Sequence, residues 1–228
     1  MKDLSPLEKS LGVEFKNKDL LLQALTHRSY LNENPDFYLD HNERLEFLGD
    51  AVLELAVTER LYNTYKDPEG ELTSWRAALV NSKMLSKIAR KLGVNEFLLL
   101  SRGEAKDTGR AREYILANAM EAIMGAMYLD LGFKLADGFV LEHIMPELPE
   151  IIEKGLYKDP KSRFQEEAQD RSGITPTYEV TNERGPDHAK HFTIGVFLDK
   201  ELIAKGEGDS KQEAQEKAAE KALEAKGW

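Results

Sequence analysis

The hydrophobic periodicity of this chain changes once along its 228 residues, and that change limits what the chain can fold into. From Pro6 to about Ile152, apolar residues recur at the 3.6-residue spacing of amphipathic helices, and no segment shows a convincing strand pattern. In HFTIGVFL (191–198), apolar residues instead alternate with others, which is typical of a half-buried strand. The chain therefore combines a helical part with a later part that contains a sheet.

The pattern predicts two domains. We expect an all-α domain over residues 1–154, a short linker at 155–158, and a small α+β domain with the order α-β-β-β-α over residues 159–228. In the first domain the periodicity predicts helices at about 20–25, 42–65, 71–79, 82–92, 112–131 and 135–153.

Composition narrows the class of protein. Cysteine is absent, which excludes disulfides and thiolate metal sites and favours a reducing compartment such as the cytoplasm. The longest apolar run, residues 114–129, is too short and too polar to span a membrane, and the first residues lack the apolar stretch of a secretion signal, so no membrane partner is expected. The formal charge of −10 argues only weakly against a nucleic-acid partner, because charge acts locally.

The helix that contains HNERLEFLGDAV (41–52) has an acidic side opposite its expected buried stripe. The stripe consists of Leu45, Leu48, Val52 and Leu55. The acidic residues Glu43, Glu46 and Asp50 either form a solvated face or collect around a cation, since like charges at this spacing repel one another. Phe47 lies away from the stripe and indicates a second apolar contact, such as a partner subunit.

The apolar helix predicted over residues 114–129 contains one charged residue, Glu121. Asn118 lies on the same side, next to small residues that permit close approach of another helix. Burying a lone carboxylate is costly unless it is paired or binds a metal, so one possibility is a lysine or arginine partner from elsewhere. The other possibility is that both side chains face Glu46 and Asp50 across Mg²⁺ or Mn²⁺, because all of these groups offer hard oxygen ligands.

These segments resemble bacterial ribonuclease III, an endonuclease that cleaves double-stranded RNA. The resemblance covers nearly the full chain, and it implies an all-α nuclease domain that forms a homodimer, followed by a double-stranded-RNA-binding domain. Besides the C-terminal unit, the matching segments are ALTHRSY (24–30), NERLEFLGDAVL (42–53), EGELTSWRAALVNSKMLSKIARKLG (69–93) and YILANAMEAIMGAMYLD (114–130).

By position, the resemblance implies a metal site in the nuclease domain. Its residues are Glu46, Asp50, Asn118 and Glu121. Mg²⁺ is the implied cofactor, with Mn²⁺ as a substitute, and the implied catalytic residues are Asp50 and Glu121. Many members of the family have Asp where this chain has Asn118, so the site carries one negative charge less and weaker metal binding is expected.

The resemblance also assigns roles to three residues around that site. Glu43 and Glu69 fall among the acidic residues that line the family's cleavage cleft. Phe47 falls where the family has an aromatic side chain that inserts into the partner subunit, which agrees with its place on the helical wheel.

The C-terminal unit offers a few candidate RNA contacts. The segment SKQE (210–213) predicts a capping box, and Lys211 opposes the helix dipole there unless a phosphate binds at this end or the lysine is simply solvated. The resemblance nominates His188 and Lys190 in a loop, although His188 taken alone is equally an ordinary loop histidine. It also nominates Gln165 and Glu166 as contacts to 2′-hydroxyls in the minor groove.

The start of the last helix contains few lysines. Relatives often have lysines where this chain has Gln212 and Gln215. We therefore expect a modest RNA affinity that depends strongly on salt.

The leading functional hypothesis is a Mg²⁺-dependent endoribonuclease in the processing of rRNA precursors and of other RNAs, such as mRNA and tRNA. The resemblance implies 5′-phosphate and 3′-hydroxyl ends with two-nucleotide 3′ overhangs. The alternatives are a dimer that binds double-stranded RNA without cutting it, and a phosphohydrolase of small nucleotides, which leaves the C-terminal domain without a role.

Overall fold

The structure, a computed structural model, describes residues 3–186 and 190–228. The chain forms two compact units, Met1–Lys154 and Gly155–Trp228, each with its own core. The predicted fold class is confirmed: the first unit is helical, and the second has the order α-β-β-β-α. Within the described residues, no helix is long and apolar enough to cross a membrane.

Helices and single 3₁₀ turns build the first unit. The helices are α1 (Ser5–Leu11), α2 (Lys18–Ala24), α3 (Arg28–Glu33), α4 (Glu43–Thr64), α5 (Glu69–Val80), α6 (Ser82–Lys91), α7 (Arg110–Leu131), α8 (Phe133–His143) and α9 (Leu148–Glu153). The 3₁₀ turns are Val94–Glu96, Glu104–Lys106 and Met145–Glu147.

The prediction of one helix over residues 135–153 is wrong. The chain forms α8, then a 3₁₀ turn, then α9. Pro146 and Pro149 each stand at the first or second position of a new element, because proline has no amide hydrogen to continue the preceding helix. The short helix α3 was not predicted as a separate element, and it begins after His27, whose ring nitrogen accepts a hydrogen bond from the Ser29 amide.

The core of the first unit surrounds α7. This helix packs against α2, α4, α6 and α8, and most of its residues are buried, as the apolar run predicted. On α4, Leu45 and Val52 are buried, but the placement of Leu55 in the core is wrong, because its side chain is 57 % exposed. The wheel placed Leu55 at the edge of the buried stripe, and α7 covers only the other edge.

The second unit packs two helices on one face of a three-stranded sheet. The elements are α10 (Pro160–Ser172), β1 (Thr177–Arg184), β2 (His191–Leu198), β3 (Glu201–Gly208) and α11 (Lys211–Lys226). The strands are antiparallel in the order β1-β2-β3. The buried core residues are Phe164, Ala168, Val196, Leu198, Ala218, Ala219, Ala222 and Leu223.

Three local contacts place the start of α11. A Cβ added to Gly206 of β3 would lie 2.2 Å from the Ala214 oxygen, so only glycine lets the strand approach the helix backbone this closely. The predicted cap is present at Ser210, whose hydroxyl accepts a hydrogen bond from the Glu213 amide at 3.1 Å. The Glu213 carboxylate reaches back to the Asp209 amide at 2.9 Å. This end of the helix is therefore well ordered by its own side chains.

Candidate active site and nucleic-acid surface

Two glycines let α4 and α7 cross in backbone contact. A Cβ added to Gly49 would lie 1.7 Å from the Glu121 carbonyl oxygen, and one added to Gly125 would lie 2.2 Å from the Leu45 carbonyl oxygen. Real Cβ atoms essentially never approach within 3.0 Å, so neither position tolerates a side chain without a shift of the helices. Since Glu46 precedes one glycine by a turn and Glu121 precedes the other by a turn, the crossing brings these acids together.

The crossing assembles four of the predicted site residues into one group, which we call the acidic cluster. Its members are Glu46, Asp50, Asn118 and Glu121. Asp50 is exposed, and the other three are half-buried. A side-chain hydrogen bond joins Asn118 to Glu46, and the carboxylates of Asp50 and Glu46 both act on Glu121.

Mutual repulsion and burial dominate the electrostatics of the acidic cluster. Burial, reinforced by the carboxylates of Asp50 and Glu46, raises the pKa of Glu121 to about 7. Burial and the Glu43 carboxylate also raise the pKa of Glu46, against the opposing hydrogen bond from Asn118. No lysine or arginine among the described residues forms an ion pair with Glu121, so the predicted alternative of a basic partner has no support there.

The donor set of the acidic cluster suits a hard cation. Three carboxylates and one amide carbonyl are the ligands that Mg²⁺ and Mn²⁺ prefer, and a cation would offset the burial and the carboxylate repulsion that raise the pKa of Glu121. In the described part of the chain, no three Asp, Glu or His side chains converge closely enough to enclose an ion by themselves.

Glu43 lies at the rim of the acidic cluster beside basic groups that the sequence did not reveal. One of its carboxylate oxygens is 3.5 Å from Arg28 Nη1, and the other is 3.8 Å from His41 Nδ1. Proximity along the chain could have suggested His41, which lies two residues before Glu43. It could not have suggested Arg28, which comes from α3 and meets Glu43 only through the tertiary fold.

Glu69 is not part of the acidic cluster within one chain. It is the exposed first residue of α5, beyond the C-terminal end of α4, whereas Glu46 lies near the other end. At 1.5 Å per residue, the helix from Glu46 to Thr64 alone spans about 27 Å. Consistent with this separation, Glu69 is not among the groups that shift the pKa of Glu46 or Glu121.

One side of α4 exposes large apolar side chains. Phe47 is 84 % exposed, Leu55 57 % and Tyr62 73 %. Ala51 is also exposed, and at 100° per residue these four positions fall within a narrow arc of the helix. We call them the α4 stripe. Contiguous apolar exposure of this kind is typical of a surface that another subunit covers.

The candidate RNA contacts of α10 point to solvent. Gln165 and Glu166 are both exposed. The Glu166 carboxylate accepts a hydrogen bond from Lys158 Nζ at 2.6 Å, so contact with RNA at Glu166 competes with this ion pair. The predicted contact His188 lies outside the described residues.

The candidate lysines differ in what holds them. Lys190 pairs with the Glu183 carboxylate at 2.7 Å. Lys211 is exposed at the start of α11, and its Nζ lies 5.6 Å from the centre of the Phe192 ring. Among the described residues, Lys211 therefore has no carboxylate partner, whereas Lys190 does.

Comparisons with known proteins agree with both units. Residues 17–148 match the family model described as ribonuclease-III-like, and residues 160–226 match the double-stranded RNA binding motif. Ribonuclease 3 of Campylobacter jejuni is 46 % identical over 228 residues, which cover 100 % of this chain and 99 % of the relative. Ribonuclease 3 of Carboxydothermus hydrogenoformans is 46 % identical over 224 residues, with coverage of 97 % and 95 %.

A solved structure is also similar. It is the nuclease domain of ribonuclease III from Campylobacter jejuni, described for structural flexibility in a region involved in dimer formation. It matches with a TM-score of 0.58 and 45 % identity, over 64 % of this chain and 99 % of that chain.

Proposed function

Because the chain belongs to the ribonuclease III family, whose members are endoribonucleases acting on double-stranded RNA, we propose that it cleaves such RNA with Mg²⁺ at the acidic cluster. Mn²⁺ substitutes for Mg²⁺. The products carry 5′-phosphate and 3′-hydroxyl ends with two-nucleotide 3′ overhangs, and the enzyme processes rRNA precursors, mRNA and tRNA in the cytoplasm.

The observation that supports this proposal best is the acidic cluster itself. The glycine crossing forces Glu46 and Glu121 together, at a cost that shows in the raised pKa of both groups. A protein that needed only the fold would gain stability from a neutral residue at either position. A hard cation bound by these carboxylates would offset the destabilisation, so the same arrangement would serve as a metal-binding site.

The residues of the acidic cluster would have different roles in hydrolysis. Glu46, Asn118 and Glu121 would hold the cation, and Asp50, the most exposed member, would orient the attacking water and accept its proton. When bound, a divalent cation neutralises charge on the scissile phosphate and makes water more acidic. Water attacks the phosphorus, the bond from phosphorus to the 3′-oxygen breaks, and the phosphate remains on the 5′ end. The leaving 3′-oxygen takes up a proton from solvent and becomes the 3′-hydroxyl.

Asn118 has a second task in this arrangement. Its amide nitrogen is the group able to donate the hydrogen bond to the Glu46 carboxylate, which leaves its carbonyl oxygen as the ligand. An aspartate at this position would add a negative charge and lose that donor. The present residue therefore orders Glu46 at the expense of cation affinity.

The α4 stripe supports a homodimer. If two copies meet along it with their α4 helices antiparallel, the two-fold axis passes near Leu55, which lies nine residues from both Glu46 and Thr64. The end of one α4, followed by Glu69, then reaches the acidic cluster of the other copy. Each cleft would thus contain Glu69 from the partner, and two clefts would cut the two strands.

Subunit mixing tests this use of Glu69. Heterodimers that combine a Glu69→Gln chain with a Glu121→Gln chain retain one complete cleft if Glu69 acts on its partner, and none if it acts within its own chain. Recovery of nicking activity on a duplex supports the exchange. Mixtures no more active than the separate variants would overturn it.

The second unit would bind the duplex through α10, the loop after β1 and the start of α11. Gln165 and Glu166 would reach 2′-hydroxyls in the minor groove, with His188 and Lys190 contacting the groove from the loop. Lys211 would bind a phosphate together with the free amides at the start of α11.

The experiment that tests the proposed function pairs cleavage with binding. A long RNA duplex is incubated with Mg²⁺ for cleavage and with Ca²⁺ for binding, using the wild-type protein and Glu121→Gln. We expect short 5′-phosphorylated duplexes from the wild type alone, and binding by both proteins. Binding without cleavage by either protein would instead support the dimer that grips RNA without cutting it.

A further inference from the structure

We propose that Lys161 is a second phosphate-binding lysine of the RNA-binding unit, supplied by α10 beside Gln215 of α11. The ligand is the phosphate backbone of double-stranded RNA. This inference deepens the proposed function and rests on it.

The position of Lys161 joins the two helices that carry the candidate RNA contacts. Its Nζ donates a hydrogen bond of 2.7 Å to the side-chain oxygen of Gln215. Lys161 lies one turn before Gln165 on α10, and Gln215 lies one turn after Lys211 on α11. The hydrogen bond therefore connects the candidate contact Gln165 on α10 with the candidate contact Lys211 on α11.

The partners of Lys161 orient it without cancelling its charge. Besides the Gln215 amide, its Nζ lies 5.3 Å from the centre of the Tyr178 ring. None of the ion pairs formed between described residues includes Lys161. Lys211 shares the ring contact alone, with its Nζ 5.6 Å from the centre of the Phe192 ring. Neither ammonium group is thus offset by a carboxylate of the described residues.

Four other lysines among the described residues of this unit are paired with carboxylates instead. The pairs are Lys158 with Glu166, Lys190 with Glu183, Lys217 with Glu213, and Lys226 with Glu201. Each of these ion pairs must be broken before the lysine can bind a phosphate without a competing carboxylate. Lys161, held by an amide and a ring, and Lys211, which lies over a ring, require no such step, which is why they are the better phosphate ligands.

Tyr178 adds no charge to the surroundings of Lys161. Its hydroxyl is buried and has no hydrogen-bond partner among the described residues. Burial, with the nearby Asp159 carboxylate, raises the pKa of Tyr178 to about 12, so the ring beneath Lys161 does not become an anion at physiological pH. The support for Lys161 therefore adds no negative charge of its own.

The salt dependence of binding tests the proposal. The full chain is titrated into a fluorescent RNA duplex of about 20 base pairs with Ca²⁺ in place of Mg²⁺, at salt concentrations from about 50 to 200 mM, and binding is followed by anisotropy. The variants are Lys161→Gln, Lys161→Arg and the matched control Lys200→Gln, which removes an exposed lysine from the turn between β2 and β3.

We expect Lys161→Gln to reduce the slope of log K against log salt by roughly 0.7–0.9, the contribution of one phosphate contact, and to weaken binding at low salt by roughly 3- to 10-fold. Lys161→Arg and Lys200→Gln should match the wild type. If Lys161→Gln binds with the same slope as Lys200→Gln, the proposal is wrong. Failure of the wild type to bind the duplex would instead refute the function on which it rests.

A rescue variant separates phosphate binding from folding. In Lys161→Gln/Gln215→Lys, the two side chains exchange places across the same hydrogen bond, so a lysine again lies between α10 and α11. We expect this double variant to recover the wild-type slope. A double variant that folds, as judged by circular dichroism, and still shows the slope of Lys161→Gln would overturn the proposal.

Discussion

Gly49 is the residue on which the candidate active site depends most, and Gly49→Ala tests that dependence. The added Cβ would lie 1.7 Å from the Glu121 oxygen, 2.6 Å from the Glu121 carbon and 2.7 Å from the Gly125 nitrogen. All three are backbone atoms, so no flexible side chain can move aside. To reach the 3.0 Å that real Cβ atoms keep, α4 and α7 must separate by about 1.3 Å at this point.

The expected cost of Gly49→Ala follows from that displacement. Overpacking a core typically costs about 1–3 kcal/mol, and a clash with backbone alone belongs at the upper end, at about 3 kcal/mol. For a unit of this size, that lowers the melting temperature by about 6–12 °C. Because Glu46 and Glu121 move apart with the helices, the Mg²⁺ concentration needed for half-maximal cleavage should also rise.

The matched control for Gly49→Ala is Gly138→Ala in α8. A Cβ on Gly138 meets nothing within 4 Å, so this change should leave activity intact and stabilise the helix by up to about 1 kcal/mol. Melting is followed by circular dichroism in EDTA at fixed protein concentration, since the stability of the proposed dimer would depend on concentration. Equal stability and equal Mg²⁺ dependence of the two variants would refute the crossing as the determinant of the site.

Three further variants test other parts of the account. Since the pKa of Glu121 is raised from 4.5 to about 7, its ionisation destabilises the metal-free protein as pH rises through that range. Glu121→Gln should therefore increase the free energy of unfolding by about 1–2 kcal/mol near pH 8, after allowance for solvent screening, and hardly at all near pH 4. Parallel curves of stability against pH for the two proteins in EDTA would contradict this. Asn118→Asp should lower the Mg²⁺ concentration needed for cleavage, and an unchanged Mg²⁺ titration would count against a ligand at this position. Phe47→Ala should weaken the dimer by at least tenfold in sedimentation equilibrium, and an unaltered association constant would exclude the α4 stripe as the interface.

Much of the fold could be predicted because its periodic segments are long. The alternation in residues 191–198 and the helical spacing in residues 82–92 each match an observed element. The break after α8 was also readable from Pro146 and Pro149, whose missing amide hydrogens outweigh the apolar spacing around them. Leu55 could not be placed from its own helix, since its exposure depends on which side of α4 the neighbouring helices cover.

The candidate site was only partly predictable. A single charge within an apolar helix marked Glu121, and the acidic side of α4 marked Glu46 and Asp50, because both patterns are costly without a cation. The contact that joins them depends on two glycines on different helices, and no spacing within one segment reports such a crossing. The pairing of Arg28 with Glu43 has the same tertiary origin.

The most direct measurement of the central claim is the position of a bound cation. Crystals of the full chain grown with Mn²⁺ would locate the ion by its anomalous scattering. We predict an ion between α4 and α7, bound directly by carboxylate oxygens of Glu46 and Glu121. Crystals of Glu121→Gln grown under the same conditions should lack that peak. An ion bound elsewhere in the wild type, with the acidic cluster in direct contact with a lysine or arginine, would contradict the account.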